Sequence, residues 1–126
     1  MLQDVAFARQ NFAVGFEHPD RLSENDFRIW LEPLFESEVS TRNFERFIAS
    51  FDNSQTVAVA PLLRQLQAPT LIVWGTSDIF FPVKWAYWLR GAIPGAQEVV
   101  ELEGAKLFFP WERPDEFAGA VKQFWN

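Results

Sequence analysis

The chain has 126 residues, 48% of them apolar and 22% charged, and carries a net charge of −6. Its length and apolar share suit one domain with a real core and exclude global disorder, while the acidic balance and scattered Lys and Arg argue against a nucleic-acid face, which needs a basic patch. With no cysteine and a single histidine, disulfides, thiol nucleophiles, thiolate metal sites and His-rich metal centres are ruled out.

Fourteen Phe and six Trp carry more large apolar surface than so short a chain easily covers, so an interface is expected, with a second copy or a complementary chain as partner. No apolar run approaches the roughly 20 residues of a membrane helix. The first residues lack the basic start and apolar middle of a signal peptide. A soluble cytoplasmic protein that binds neither membrane nor nucleic acid is the expectation.

Taken in order, Val5, Phe7, Ala8, Phe12 and Phe16 fall at helical spacing and predict a helix over Leu2 to Glu17, weakened near its end by Gly15. His18-Pro19-Asp20 then makes a loop, because a residue before proline is pushed out of helical conformation. Ser23 with Asp26 three positions on is an acidic helix-start signal, followed by Phe27, Trp30, Leu31 and Leu34 on one face, with Pro33 disturbing the end. A third helix is predicted from Ser40 to Ser50, with Phe44, Phe47 and Ile48 inward, closed by the polar turn Asp52-Asn53-Ser54. A fourth spans Gln55 to Leu66, interrupted or restarted at Pro61, with Leu62, Leu63 and Leu66 as its apolar side.

At Gln67 the texture changes. Pro69-Thr70-Leu71-Ile72-Val73-Trp74-Gly75-Thr76-Ser77-Asp78 is an apolar, β-branched run ended by a polar turn, the pattern of a parallel strand buried on both faces. Pro82 opens a helix at its tolerated first position, filled by Val83, Trp85, Ala86, Trp88 and Leu89 and ended by Gly91 and Pro94-Gly95. Gln97 to Leu102 gives a second strand, so strand, helix and strand fit a parallel crossover. After a Phe-rich loop, Pro114-Asp115-Glu116 begins a last helix, with acids where the helix dipole favours them and Phe117, Val121 and Phe124 packing it down. The fold class is therefore α/β, with a helical cap-like segment at 1–66 and a parallel strand-helix-strand-helix unit at 67–126.

Ligands and catalytic groups of open α/β sheets gather beyond the carboxyl ends of the strands, which makes Asp78 the first candidate for chemistry. The bland alternative is a turn residue satisfying nearby backbone N–H groups. Ser77 and Thr76 beside it are inert without a base to take a hydroxyl proton, and His18 reads as a loop residue rather than that base. Phe80-Phe81 with Trp85 and Trp88, and Leu107-Phe108-Phe109 with Trp111, suit either core and interface or the lining of a pocket for a small apolar ligand. In the second reading Phe80, Trp85, Phe108 and Trp111 form the wall. No carboxylate spacing calls for a metal, and no motif calls for a cofactor.

The second half resembles the end of an α/β-hydrolase. The resemblance is carried by Pro69 to Asp78, Ile93-Pro94-Gly95-Ala96, Leu102-Glu103-Gly104-Ala105 and Glu112-Arg113-Pro114-Asp115-Glu116-Phe117, in the order and separation of that fold's last two strands and helices, particularly in the epoxide hydrolase and haloalkane dehalogenase branch. The preceding helices, including Phe16-Glu17-His18-Pro19-Asp20-Arg21-Leu22, are similar in character to the cap of such enzymes. The resemblance implies that Asp78 holds the position of the acid that orients the catalytic His. It puts that His at Leu107, which cannot move a proton, and no stretch matches the nucleophile elbow. Two readings result. One is a truncated or degenerate hydrolase-like domain without turnover of its own, oligomeric or ligand-binding. The other is an ester, epoxide or haloalkane hydrolase whose nucleophile lies in sequence outside this chain.

Overall fold

The computed structural model of the protein describes residues 10–126. Leu2, Val5, Phe7 and Ala8 of the first predicted helix lie outside the described residues. That helix ends at residue 13, earlier than expected, in a turn at residues 14–15. Gly15 does more than weaken it: a Cβ there would sit 2.6 Å from the Phe108 ring, so the missing side chain is what lets that ring approach.

A 3-10 turn at Pro19–Arg21 leads into α1 (Glu24–Phe35). Its start is the predicted one, a capping box in which the Ser23 hydroxyl accepts from the Asp26 N–H and the Asp26 carboxylate accepts from the Ser23 N–H. Pro33 does not end it. The next helix, α2 (Glu38–Ala49), begins two residues earlier than the apolar spacing suggests, because Ser37 and Ser40 form a second capping box. The two helices pack through Phe35 and Phe44, whose rings meet nearly edge to face at 5.5 Å.

Phe47 and Ile48, expected to point inward, are 58% and 46% exposed. α2 packs on α1 through Phe44, and Phe47 turns instead to Phe51, ring centroids 4.8 Å apart. Asp52-Asn53-Ser54 opens a helix rather than closing one: the Asp52 carboxylate accepts from the Ser54 N–H at 2.8 Å and caps α3 (Asn53–Leu63), which runs through Pro61 without restarting. Of its expected apolar side, Leu63 is half-buried and Leu62 is 60% exposed.

β1 (Thr70–Gly75) and β2 (Ala96–Leu102) form a two-stranded parallel sheet, Ile72 opposite Val99 and Gly75 opposite Leu102, joined through α4 (Lys84–Ala92). α4 starts two residues beyond Pro82, whose carbonyl accepts from Trp85 N–H, and it runs past Gly91 to a close where Ile93 N–H bonds Leu89 O. The Phe-rich stretch after β2 contains a short helical turn, α5 (Phe109–Glu112), before α6 (Pro114–Trp125). α4 packs on both strands and α6 on β1. β1 is less covered than its sequence suggests: only Ile72 and Gly75 are buried, since a two-stranded sheet has few neighbours to enclose it.

Thr70 N–H donates to Gly95 O and Thr76 N–H to Leu102 O, so the even-numbered residues address β2. The amides of Leu71 and Val73 face the other edge, where no strand pairs among the described residues. The main core gathers Phe16, Leu22, Phe27 and Leu31, with Phe12, Trp30, Leu34 and Phe108 against them. Phe108 belongs to the strand-helix unit and the rest to the helical segment, so packing crosses residue 67.

Candidate functional site

The tip of the sheet is laced to the loop after β2. Thr76 Oγ1 accepts from Gly104 N–H at 2.8 Å, and Ser77 N–H donates to Ala105 O at 2.9 Å. A Cβ on Gly75 would lie 2.4 Å from Ala105 O, so only glycine permits this approach. Gly104, at φ +75°, supplies the left-handed turn that brings the loop back.

Asp78 stands immediately after that lacing. One carboxylate oxygen accepts from Phe80 N–H at 2.8 Å and Phe81 N–H at 2.9 Å, while its own N–H donates to Gly75 O. This is a side chain closing its own turn. The turn is further fixed by Trp74, whose indole Nε1–H donates to Phe81 O at 2.7 Å. Among the described residues no hydroxyl or imidazole bonds to Asp78. Leu107 is half-buried on the loop after β2 and offers nothing to donate or accept beyond its backbone.

The four aromatic candidates fall into two sets. Phe108 stacks on Phe16 with ring centroids 4.4 Å apart, and Trp111 meets Phe16 and Trp30 edge-on at 5.8 and 5.5 Å. Phe108 packs against the core, while Trp111 touches its edge and is itself 44% exposed. Phe80 and Trp85 are 49% and 46% exposed on the loop after β1 and on α4, with the Trp85 ring edge-on to Trp88 at 6.1 Å.

A polar cluster joins the helical segment to the end of the chain. Arg113 grips the Glu17 carboxylate with two donors, Nε at 2.8 Å and a terminal nitrogen at 2.5 Å. Glu112 accepts from the backbone N–H groups of Glu17 and His18, both at 2.8 Å. The Arg113 hydrogen bond holds the Glu17 carboxyl below its ordinary range, and the same bond raises the Arg113 pKa. His18 places Nε2 3.6 Å from Glu17 and is half-buried on its loop. Together with Arg21, Pro114, Asp115 and Glu116 these residues line a cavity of about 360 Å³.

No local signature announces a pair 96 positions apart, so this cluster escapes sequence reading. Its only trace is that Glu17 and Glu112-Arg113 each fall within stretches that carry the family resemblance. Among the described residues no group of His, Asp or Glu side chains converges to hold a metal, and no helix is long and apolar enough to cross a membrane.

No protein-family model matches the chain. It is similar to the 2-hydroxy-6-oxononadienedioate/2-hydroxy-6-oxononatrienedioate hydrolase of Klebsiella pneumoniae, at 30% identity over 106 residues, covering 79% of this chain. The chain spans 36% of the length of that relative. A mixed α/β chain of helices and a parallel strand pair fits that likeness loosely, and the likeness supports the hydrolase superfamily without singling out a branch.

Proposed function

We propose that this chain is a degenerate or truncated α/β-hydrolase-like domain, the cap-like helices and final strands of that fold, without turnover of its own. The observation that carries the reading is the bonding of Asp78. It occupies the position of the family's acid by resemblance, yet the hydrogen bonds to its carboxylate come from the amides of Phe80 and Phe81. A triad acid works by orienting and charge-stabilising an imidazole, and the residue at that place is Leu107. Without a base, the neighbouring Ser77 and Thr76 hydroxyls stay protonated and unreactive at neutral pH.

What such a domain does instead is assemble or bind. Its exposed aromatic side chains, Phe80, Phe81, Trp85 and Trp88 among them, support a homo-oligomer or a complex with a complementary chain, and suit contact with a small apolar ligand. In this reading Phe80 and Trp85 touch the partner or ligand directly, while Phe108 packs in the core against Phe16.

Active-site titration tests the reading. A fluorophosphonate probe, which captures activated serines, is expected to leave the purified chain unlabelled by intact-mass spectrometry. Stoichiometric labelling lost in Asp78→Ala would favour a working serine hydrolase, acting on esters or the dienedioate class named for the Klebsiella relative, while an epoxide or haloalkane hydrolase with a carboxylate nucleophile, which the probe does not capture, is tested by product release from those substrates.

A further inference from the structure

We propose that the cleft between the turn joining α2 to α3 and the loop after β1 binds an amphiphilic organic cation, a flat apolar ring carrying a protonated amine. This gives the ligand-binding arm of the functional reading a place and a ligand class, and rests on that arm.

The cleft has a volume of about 770 Å³, within the roughly 300 to 1,000 Å³ of small-molecule sites. Its apolar walls are three rings: Phe47 on α2, Phe51 in the turn after it and Phe81 on the loop after β1. The Phe47 and Phe51 rings stand at 73° to one another with centroids 4.8 Å apart, so this wall is a corner and not a flat patch. Phe81 is held on both sides of its backbone, its N–H donating to Asp78 and its carbonyl accepting from the Trp74 indole. The backbone that carries this third ring is therefore fixed before any ligand arrives.

The polar side of the cleft decides the charge of the ligand. Ser50 Oγ donates to Phe47 O at 2.7 Å and Thr56 Oγ1 donates to Asn53 O at 2.8 Å, so both hydroxyls have spent their proton and offer lone pairs alone. Asp52 likewise only accepts, and it carries the single formal charge among the lining residues. The Ser54 hydroxyl, 2.6 Å from the Asp52 carboxylate, holds that carboxyl below its ordinary range and keeps it ionised. A bare helix start would call for an anion instead, but at α3 Asp52 is already that anion, accepting from Ser54 N–H at 2.8 Å. The side-chain amides of Asn53 and Gln55 can turn to suit a ligand of either sign. A protonated amine brings three donors to these acceptors and is attracted to the aromatic faces beside them. A carboxylate or phosphate would meet the Asp52 charge.

Three probes that share one ring and differ in charge test this: naphthylethylamine, naphthylethanol and naphthylacetate. Each is titrated into the isotopically labelled full chain and followed by amide NMR at about 150 mM salt, where long-range attraction to the acidic chain is screened. At 58%, 67% and 52% exposure Phe47, Phe51 and Phe81 leave one side of a ligand in water, so a Kd on the order of 1 mM is expected for the amine. The amine should shift the amides of residues 50–56 and 81 saturably and bind about fivefold more tightly than the alcohol, with no saturable shift from the acetate. Asp52→Asn keeps a helix cap without the charge and should remove most of that preference. Phe51→Leu, which keeps apolar bulk and loses the ring, should weaken the amine severalfold. Trp125→Leu, at a 79% exposed position outside the cleft, should leave it unchanged.

Equal binding of amine and alcohol, tighter binding of the acetate, or a preference untouched by Asp52→Asn overturns the cation. No saturable shift with any probe overturns the cleft as a site. Saturable shifts centred on Phe80 and Trp85 also overturn it, while keeping the ligand-binding arm. The comparison of probes on the wild type needs no variant, so it decides even if a substituted chain fails to fold. Turnover is read separately by labelling and product release, so the absence of catalysis stands or falls on its own.

Discussion

Asp78 shows how a single side chain can keep its place in a sequence pattern and take a local task. Its carboxylate spans a three-residue turn, and that turn carries the Phe81 carbonyl to the Trp74 indole. Replacing it with alanine removes two acceptor bonds, with an expected loss of about 1 kcal/mol in urea denaturation at this partly open position. Glu17 does more for the fold. Its two-pronged bond with Arg113, at 20% and 23% side-chain exposure, ties residue 17 to the segment behind the second strand. Glu17→Gln is expected to cost about 1 to 3 kcal/mol, the range for charge-assisted bonds.

The sign of its pH dependence follows from the lowered pKa. A carboxyl held below its ordinary 4.5 contributes stability that is fully present above that value and is lost as pH falls through the folded-state pKa. Urea midpoints measured on acidification below pH 4.5 should therefore drop more steeply in the wild type than in Glu17→Gln. Equal slopes would mean that the pair contributes nothing to folding.

At the scale of elements, what could be read from the sequence is what short-range chemistry decides. The Ser23 and Asp26 capping box, the β1 run from Thr70 to Gly75 and the Pro114 start of α6 are each set within a few residues, and each stands where the pattern put it. The misreadings share another cause. Periodicity puts Phe47 and Ile48 inward and Leu62 on an apolar side, but it names a face without supplying the neighbour that covers it. Asp52 reads as a stop in the sequence and is a start in the fold, since the same polar side chains serve both. The Glu17–Arg113 pair joins positions with no local relation at all. Two substitutions check the local reading. Ser23→Ala should lower stability by about 1 kcal/mol through loss of the cap. Gly75→Ala should cost about 3 kcal/mol, because its methyl would press on the Ala105 carbonyl and unlace the sheet tip from the loop after β2. A Gly75→Ala protein with wild-type stability would show that this approach is not tight.

For the whole molecule, the aromatic core of Phe12, Phe16, Trp30 and Phe108 binds the helical segment to the strand-helix unit, and Asp78 stands at the sheet tip after β1. On the proposed reading, a hydrolase-like frame whose Asp78 is satisfied by its own turn and whose expected base position is Leu107 accounts for the arrangement without invoking catalysis. Release of product by the purified chain from ester, epoxide, haloalkane and dienedioate substrates, followed beside Asp78→Ala, bears on this most directly. Both proteins are expected to match the buffer blank. Turnover by the wild type that disappears in Asp78→Ala would contradict the assignment of Asp78 to a structural turn.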